Sequence, residues 1–346
     1  MAKIGEIIDD KYEILVEVGH GGMSTVYLAI DKRLNKQWAV KEVKHKSQER
    51  IDEIVIQSAI DEANMIKRLD HPAIVRIVDI IDNNDALYIV EDYVEGETLS
   101  NILERDGAQP QELVIKWMRQ LCDALEYLHT RKPPIIYRDM KPDNVMLKPD
   151  GDIKIIDFGI AREYKENNIA DTMALGTKGY AAPEQFGGQG QTDARTDIYC
   201  LGVTLYHLLT GHNPRNPPYE LYPIRYWNPQ LSKGLEEIIL KCTKLNPKDR
   251  YQSCAEIIQA LDNQQSFECI RKTWKSTILY IVSSLINILK TKVKLSRNKK
   301  RKNPTNFPEK DLPVYADDAR YMAKIFADIQ KDERNCTIIK GPDYDE

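Results

Sequence analysis

The feature that most constrains the fold is a change of hydrophobic period part-way along the chain. From Tyr12 to Asp92 the segments Tyr12 to Val18, Ser24 to Ile30, Gln37 to Val43, Ile74 to Ile81 and Ala86 to Val90 read as strands around one helical stretch, Ile51 to Leu69. From Leu99 onward helices dominate, with apolar residues at three- and four-residue spacing over Glu112 to His129, Asp197 to Thr210, Gly234 to Lys244 and Ser253 to Asp262. Such a chain is expected to be α+β: a small antiparallel sheet lobe with one main helix, then a larger, mainly helical lobe. Glu95-Gly96-Glu97 lies between the two regimes and is the natural hinge. Inside the helical half, Val145 to Lys148 and Ile153 to Ile156 are short strands joined by Pro149-Asp150-Gly151, residues suited to a tight turn.

At 346 residues and 42% hydrophobic, the chain can bury a large core in two or three units. A formal net charge of -4 gives no global attraction to nucleic acid. Cys122, Cys200, Cys242, Cys254, Cys269 and Cys336 form no CxxC pair and lack zinc-site spacing, so they read as reduced thiols. The first residues carry acids where a signal peptide would be basic and then apolar, so a cytoplasmic start is expected.

Gly19-His20-Gly21-Gly22-Met23-Ser24-Thr25-Val26 falls between two strand patterns, where side-chain-free positions let backbone amides close over a polyphosphate. Ser24 stands where a third glycine is usual, so this reading rests on Gly19, Gly21 and Val26. Trp38-Ala39-Val40-Lys41 then places a lysine within reach of phosphates under the loop, with Glu62 on the intervening helix to pair with it. Further on come Tyr137-Arg138-Asp139-Met140-Lys141-Pro142-Asp143-Asn144, Asp157-Phe158-Gly159 after a strand, and Ala182-Pro183-Glu184.

These motifs, in this order over roughly residues 10–265, resemble the Hanks-type (eukaryotic-like) serine/threonine protein kinases of bacteria. The resemblance implies the two-lobed protein kinase fold, with a small lobe over 10–94 and a large one over 97–265. It also implies transfer of the ATP γ-phosphate to Ser/Thr hydroxyls of protein substrates, with Mg²⁺, or Mn²⁺ in its place, as cofactor. Asp139 would accept or orient the substrate proton, and Lys141 would offset charge on the moving phosphoryl group. Asn144 and Asp157 would ligate the metal. The ATP-binding set would be Gly19, Gly21, Val26, Ala39, Lys41, Glu62, Asp92 and Val94, and Tyr137 would brace the loop in place of the usual histidine. Arg138 implies a phosphate on the activation loop, with Thr172 as the autophosphorylation site, while Thr177 would bond Asp139 and Lys141 and mark Ser/Thr specificity. Glu184, Asp197 and Arg250 would be structural. The alternative on the same fold is a pseudokinase scaffold; a small-molecule kinase fits less well with Gly176-Thr177 and Ala182-Pro183-Glu184.

Glu91 departs from the pattern, because a carboxylate stands where an apolar residue usually guards the adenine pocket. Two readings are open: Glu91 competes with Glu62 for Lys41, or the strand is shifted by one residue and Glu91 faces solvent.

Beyond the catalytic region, Trp274 to Leu289 is apolar on one helical face and too short to span a bilayer. The stretch Lys290 to Lys302 that follows carries eight Lys/Arg and no acid. An amphipathic helix over 270–290 with a basic linker over 290–310 could contact an anionic membrane through 274–302, placing a cytoplasmic chain at the inner face. A helix packed on the large lobe with a solvated linker is the even alternative, and nucleic acid is a weaker third option. The tail over 311–346 shows a short amphipathic helix pattern at Ala319, Met322, Ala323, Phe326 and Ile329.

Overall fold

The structure is a computed structural model that describes residues 1–20, 24–44, 60, 64–83, 86–158, 162–163, 176–186 and 192–264. All of them belong to one unit, Met1–Ile270. The helix expected at 270–290, the basic linker and the tail helix lie outside the described residues.

The first lobe is a six-stranded antiparallel sheet. Its strands are β1 (Ile7–Ile8), β2 (Tyr12–His20), β3 (Ser24–Asp31), β4 (Lys36–Lys44), β5 (Ile77–Asp82) and β6 (Ala86–Asp92), in the order β1-β2-β3-β4-β6-β5. Strict alternation in β3 sends Thr25, Tyr27, Ala29 and Asp31 to one face. There Tyr27 and Ala29 join Tyr12, Ile14, Trp38, Val40, Tyr88 and Val90 in a small core. The opposite face is laid out in cross-strand rungs. Val26 pairs Lys41, which pairs Ile89; Leu28 pairs Ala39, which pairs Glu91. Because opposed residues in an antiparallel ladder share a face, Val26, Ala39, Lys41 and Glu91 lie on one side of the sheet. The strand shift that would have turned Glu91 to the other face does not occur, and Glu91 is half-buried.

Three differences from the sequence reading concern short elements. Ile7–Ile8 adds an edge strand ahead of residue 10, burying Ile8. The strand expected from Ile74 starts at Ile77, because Ile74 instead makes a parallel bridge to Ile155. The hinge is cut short by β7 (Glu97–Thr98), which pairs with Leu147 and Met146.

The second lobe is built on α1 (Leu99–Asp106), α2 (Gln111–His129), α3 (Ala194–Thr210), α4 (Ile224–Trp227) and α5 (Lys233–Cys242), with residues 254–264 also helical. In α2, Val114, Trp117, Met118, Leu121, Cys122, Leu125 and Leu128 recur at three- and four-residue spacing and are all buried. Helix α3 is buried nearly all round, so it is the spine of the lobe. It starts at a capping box in which Asp193 accepts from the Arg195 amide at 2.9 Å, and it ends at Gly211, whose φ of 71° closes the last turn. Strands β8 (Ile135–Ile136), β9 (Val145–Leu147) and β10 (Ile153–Ile155) lie against these helices, and β8 pairs with β11 (Arg162–Glu163). One core cluster runs from Val43 and Leu87 of the sheet lobe to Leu261 of the helical lobe.

Candidate active site

The loop between β8 and β9 gathers the candidate catalytic groups, and α3 holds that loop. Asp197, wholly buried near the start of α3, accepts from the backbone amides of Tyr137 at 2.9 Å and Arg138 at 2.6 Å. Its Oδ2 also pairs with His129 Nε2 at 2.7 Å, from the C-terminal end of α2. Burial alone would push the His129 imidazole down, but the Asp197 carboxylate outweighs it and holds the ring up to about 10. Arg138 takes a φ of 70°, a conformation rare for a side-chain-bearing residue, and its carbonyl accepts from Gln185 Nε2 at 2.9 Å. The backbone is thus turned sharply just ahead of Asp139 and pinned on both sides of the turn.

Past that turn the side chains form a closed network. Lys141 Nζ donates to Asp139 Oδ2 at 2.6 Å and to Thr177 Oγ1 at 2.7 Å. Thr177 Oγ1 donates to Asp139 Oδ1 at 2.7 Å. Asn144 Nδ2 donates to the Asp139 carbonyl and to Oδ2, both at 2.9 Å. Both carboxylate oxygens of Asp139 are therefore oriented by donors, which fixes the rotamer without surrounding it by apolar atoms.

Asp157 is brought beside this network through backbone pairing. Ile156 donates its amide to the Asn144 carbonyl at 3.0 Å, and Val75 and Ala73 exchange bonds with Ile155 at 3.0 and 2.8 Å. Tyr137, fully buried, donates its hydroxyl to the Asp157 carbonyl at 2.5 Å and meets Phe158 edge-on with ring centroids 5.1 Å apart. Tyrosine thus ties the loop to Asp157. From the sheet, Lys41 Nζ reaches Asp157 Oδ1 at 3.0 Å.

Other expected site residues fall around this centre. Gly19, next to last in β2, stands opposite Val26, Ala39 is buried beside Lys41 on the same face, and Val94 is buried past the end of β6. The Asp92 side chain is engaged elsewhere: it pairs with Arg76 at 2.8 Å and Lys36 at 3.6 Å. Burial opposes ionisation there, but Arg76 outweighs it and keeps the carboxyl below the usual carboxylate range. The Asp92 amide also donates to the Arg76 carbonyl at 3.0 Å. Glu184 forms a bidentate pair with the fully buried Arg250 at 2.6 and 2.9 Å and accepts from Thr196 at 2.9 Å. Gly21, Glu62 and Thr172 lie outside the described residues.

His129 and Gln185 were missed by sequence reasoning. A signal existed for His129: it ends the apolar stripe of α2, where a charged imidazole needs a buried partner. Nothing in the local sequence marks Gln185.

The protein kinase domain family matches residues 12–261. PrkC, a serine/threonine-protein kinase of Bacillus subtilis, is 35% identical over 280 residues, covering 78% of this chain and 42% of PrkC. The serine/threonine-protein kinase PknB of Mycobacterium tuberculosis is 35% identical over 268 residues, covering 72% of this chain and 42% of PknB. The chain spans about two fifths of the length of the curated relatives it matches. With the Asp139 network, the two-lobed fold and this match agreeing, the chain belongs to the protein kinase family, among the bacterial Hanks-type serine/threonine kinases.

Proposed function

We propose that this chain transfers the γ-phosphate of ATP to serine and threonine hydroxyls of protein substrates. The observation that carries this reading is the closed set of bonds among Asp139, Lys141, Thr177 and Asn144. It holds a carboxylate ready for a hydroxyl and a cation ready for a phosphoryl group, and phosphoryl transfer asks mainly for positioning and charge stabilisation.

The substrate hydroxyl oxygen forms the new P–O bond as the bond to the ADP oxygen breaks, and Asp139 orients the hydroxyl and receives its proton. Lys141, already beside Asp139, offsets negative charge on the transferred group. Lys41 holds the α- and β-phosphates from the sheet, with Glu62 orienting it. Asn144 and Asp157 supply hard oxygen atoms suited to Mg²⁺, or to Mn²⁺ in its place: the Asn144 amide nitrogen is committed to Asp139, leaving Oδ1 as its ligand atom. Bound there with phosphates, the metal would neutralise phosphate charge. Gly19, Gly21, Val26, Ala39 and Val94, with the Asp92 backbone, form the nucleotide's cradle. Glu91, on the Lys41 face, competes with Glu62 for that lysine, so Glu91→Met should change nucleotide affinity.

Regulation follows from the same elements: Thr172 autophosphorylates, and Arg138 receives its phosphate. Among the described residues no helix is long and apolar enough to cross a membrane. The apolar and basic character of 274–302 supports peripheral contact with an anionic surface, which co-sedimentation with phosphatidylserine vesicles tests.

The test of transfer is labelled ATP and Mg²⁺ with an unstructured Ser/Thr-containing acceptor protein, followed by phosphoamino-acid analysis. Phosphoserine or phosphothreonine without phosphotyrosine is expected. No label, from protein that still binds nucleotide, would overturn the reading in favour of a scaffold.

A further inference from the structure

Asp143 is a half-exposed carboxylate on the catalytic loop, between Lys141 and Asn144 on the short turn Pro142–Asn144. A protein segment presenting a hydroxyl to Asp139 must pass beside it. Extended chain advances about 3.3–3.6 Å per residue. A side chain two or three positions from the acceptor therefore sits about 7–10 Å away, within an arginine's reach. An open carboxylate here would favour substrates with Arg or Lys near the acceptor.

That carboxylate is already met from within the chain. Arg215 Nη2 lies 3.4 Å from Asp143 Oδ2, and its guanidinium sits 5.3 Å from the centroid of the Tyr180 ring. The backbone of Arg215 is fixed by its own turn, its amide donating to Asn213 Oδ1 at 2.9 Å. It is fixed again by Gly179: at a φ of 92°, a Cβ there would stand 2.9 Å from the Pro214 carbonyl oxygen and 3.0 Å from the Arg215 nitrogen. Only glycine lets the two segments approach this closely. Gly179 follows Thr177, which is bonded to Asp139, so the segment that seats the catalytic carboxylate also seats Arg215. Nearby Lys178 is exposed and adds positive charge. A substrate cation reaching Asp143 would exchange one guanidinium for another and leave Arg215 displaced, with no net gain.

We propose that Arg215 is a specificity-determining residue that caps Asp143, removing selection for basic residues near the phosphoacceptor. This rests on the kinase reading above. The test uses the full chain and a peptide series with one threonine, carrying Arg or Ala at each position from five before to four after it. In wild type the ratio of kcat/KM for Arg over Ala peptides should stay within about twofold at every position. In R215A, and in R215M, which keeps most of the aliphatic stem, that ratio should rise about fivefold at one or two positions, the scale of a partly exposed charge-assisted bond. Adding D143N to R215A should abolish the rise. A wild-type preference for Arg that R215A leaves unchanged would overturn the proposal, as would a rise that survives D143N. Peptide affinity by fluorescence anisotropy separates the two claims. If no peptide is phosphorylated, the kinase reading fails by itself. The capping assignment then stands if R215A binds Arg peptides about fivefold more tightly than wild type does, and falls if it does not.

Discussion

At Asp197 the His129 ring and the amides of Tyr137 and Arg138 converge on one buried carboxylate, so a single side chain holds two successive amides ahead of Asp139. His129 binds its proton more tightly in the folded chain, with its pKa raised from an ordinary 6.5 to about 10. The stabilisation from this pair is therefore complete below pH 6.5 and is lost as pH rises through about 10. His129→Gln should cost about 3–5 kcal/mol at pH 7, because it strands a buried carboxylate. It should also flatten the fall in urea midpoint expected of wild type between pH 7 and 10. A variant with the wild-type slope would show that another group titrates. His207 behaves in the opposite way: burial pushes it down to about 4, and its Nδ1 lies 2.7 Å from the Tyr180 hydroxyl. Neither histidine's partner was legible in the sequence, since Asp197 and Tyr180 lie far away along the chain. The residues of the Asp139 network were legible, because they lie in short motifs that a resemblance can match.

The segment 176–186 is the element that couples the loop to the helical lobe. Thr177 bonds Asp139 and Lys141 at one end, and Glu184 pairs with Arg250 at the other. Thr177→Val keeps the shape and removes the hydroxyl, so kcat should fall about 10–100-fold on the scale of a lost positioning contact, with nucleotide affinity unchanged. Loss of nucleotide binding instead would mean that Thr177 supports the cleft as a whole. Arg250→Met leaves Glu184 without its bidentate partner and should lower stability by about 3–5 kcal/mol in urea unfolding. The long helices of the second lobe were readable to within a few residues because their apolar stripes are long; α2 begins at Gln111 where Glu112 was expected. The two-residue strands β1 and β7 were not readable, because strands that short carry no period and exist only through the partner strand.

Over the whole molecule, the division of labour follows the change of hydrophobic period. The sheet lobe presents Val26, Ala39, Lys41 and Glu91 on one face, and the helical lobe presents Asp139, Lys141 and Asn144. The Lys41–Asp157 pair at 3.0 Å joins the two sets. The order of the motifs made this arrangement legible in advance. The capping of Asp143 by Arg215 was not, because the two residues are 72 positions apart and only the fold brings them together. The measurement that tests the central claim most directly is autophosphorylation with labelled ATP and Mg²⁺, comparing wild type with Lys41→Ala and Asp139→Asn. Nucleotide affinity is measured on the same preparations, and the modified sites are mapped by mass spectrometry. The account expects label on wild type, at Thr172 among other sites, and at least a hundredfold less on both variants, with Asp139→Asn still binding nucleotide. Equal labelling of wild type and Asp139→Asn would contradict it, because the network around that carboxylate would then have no part in transfer.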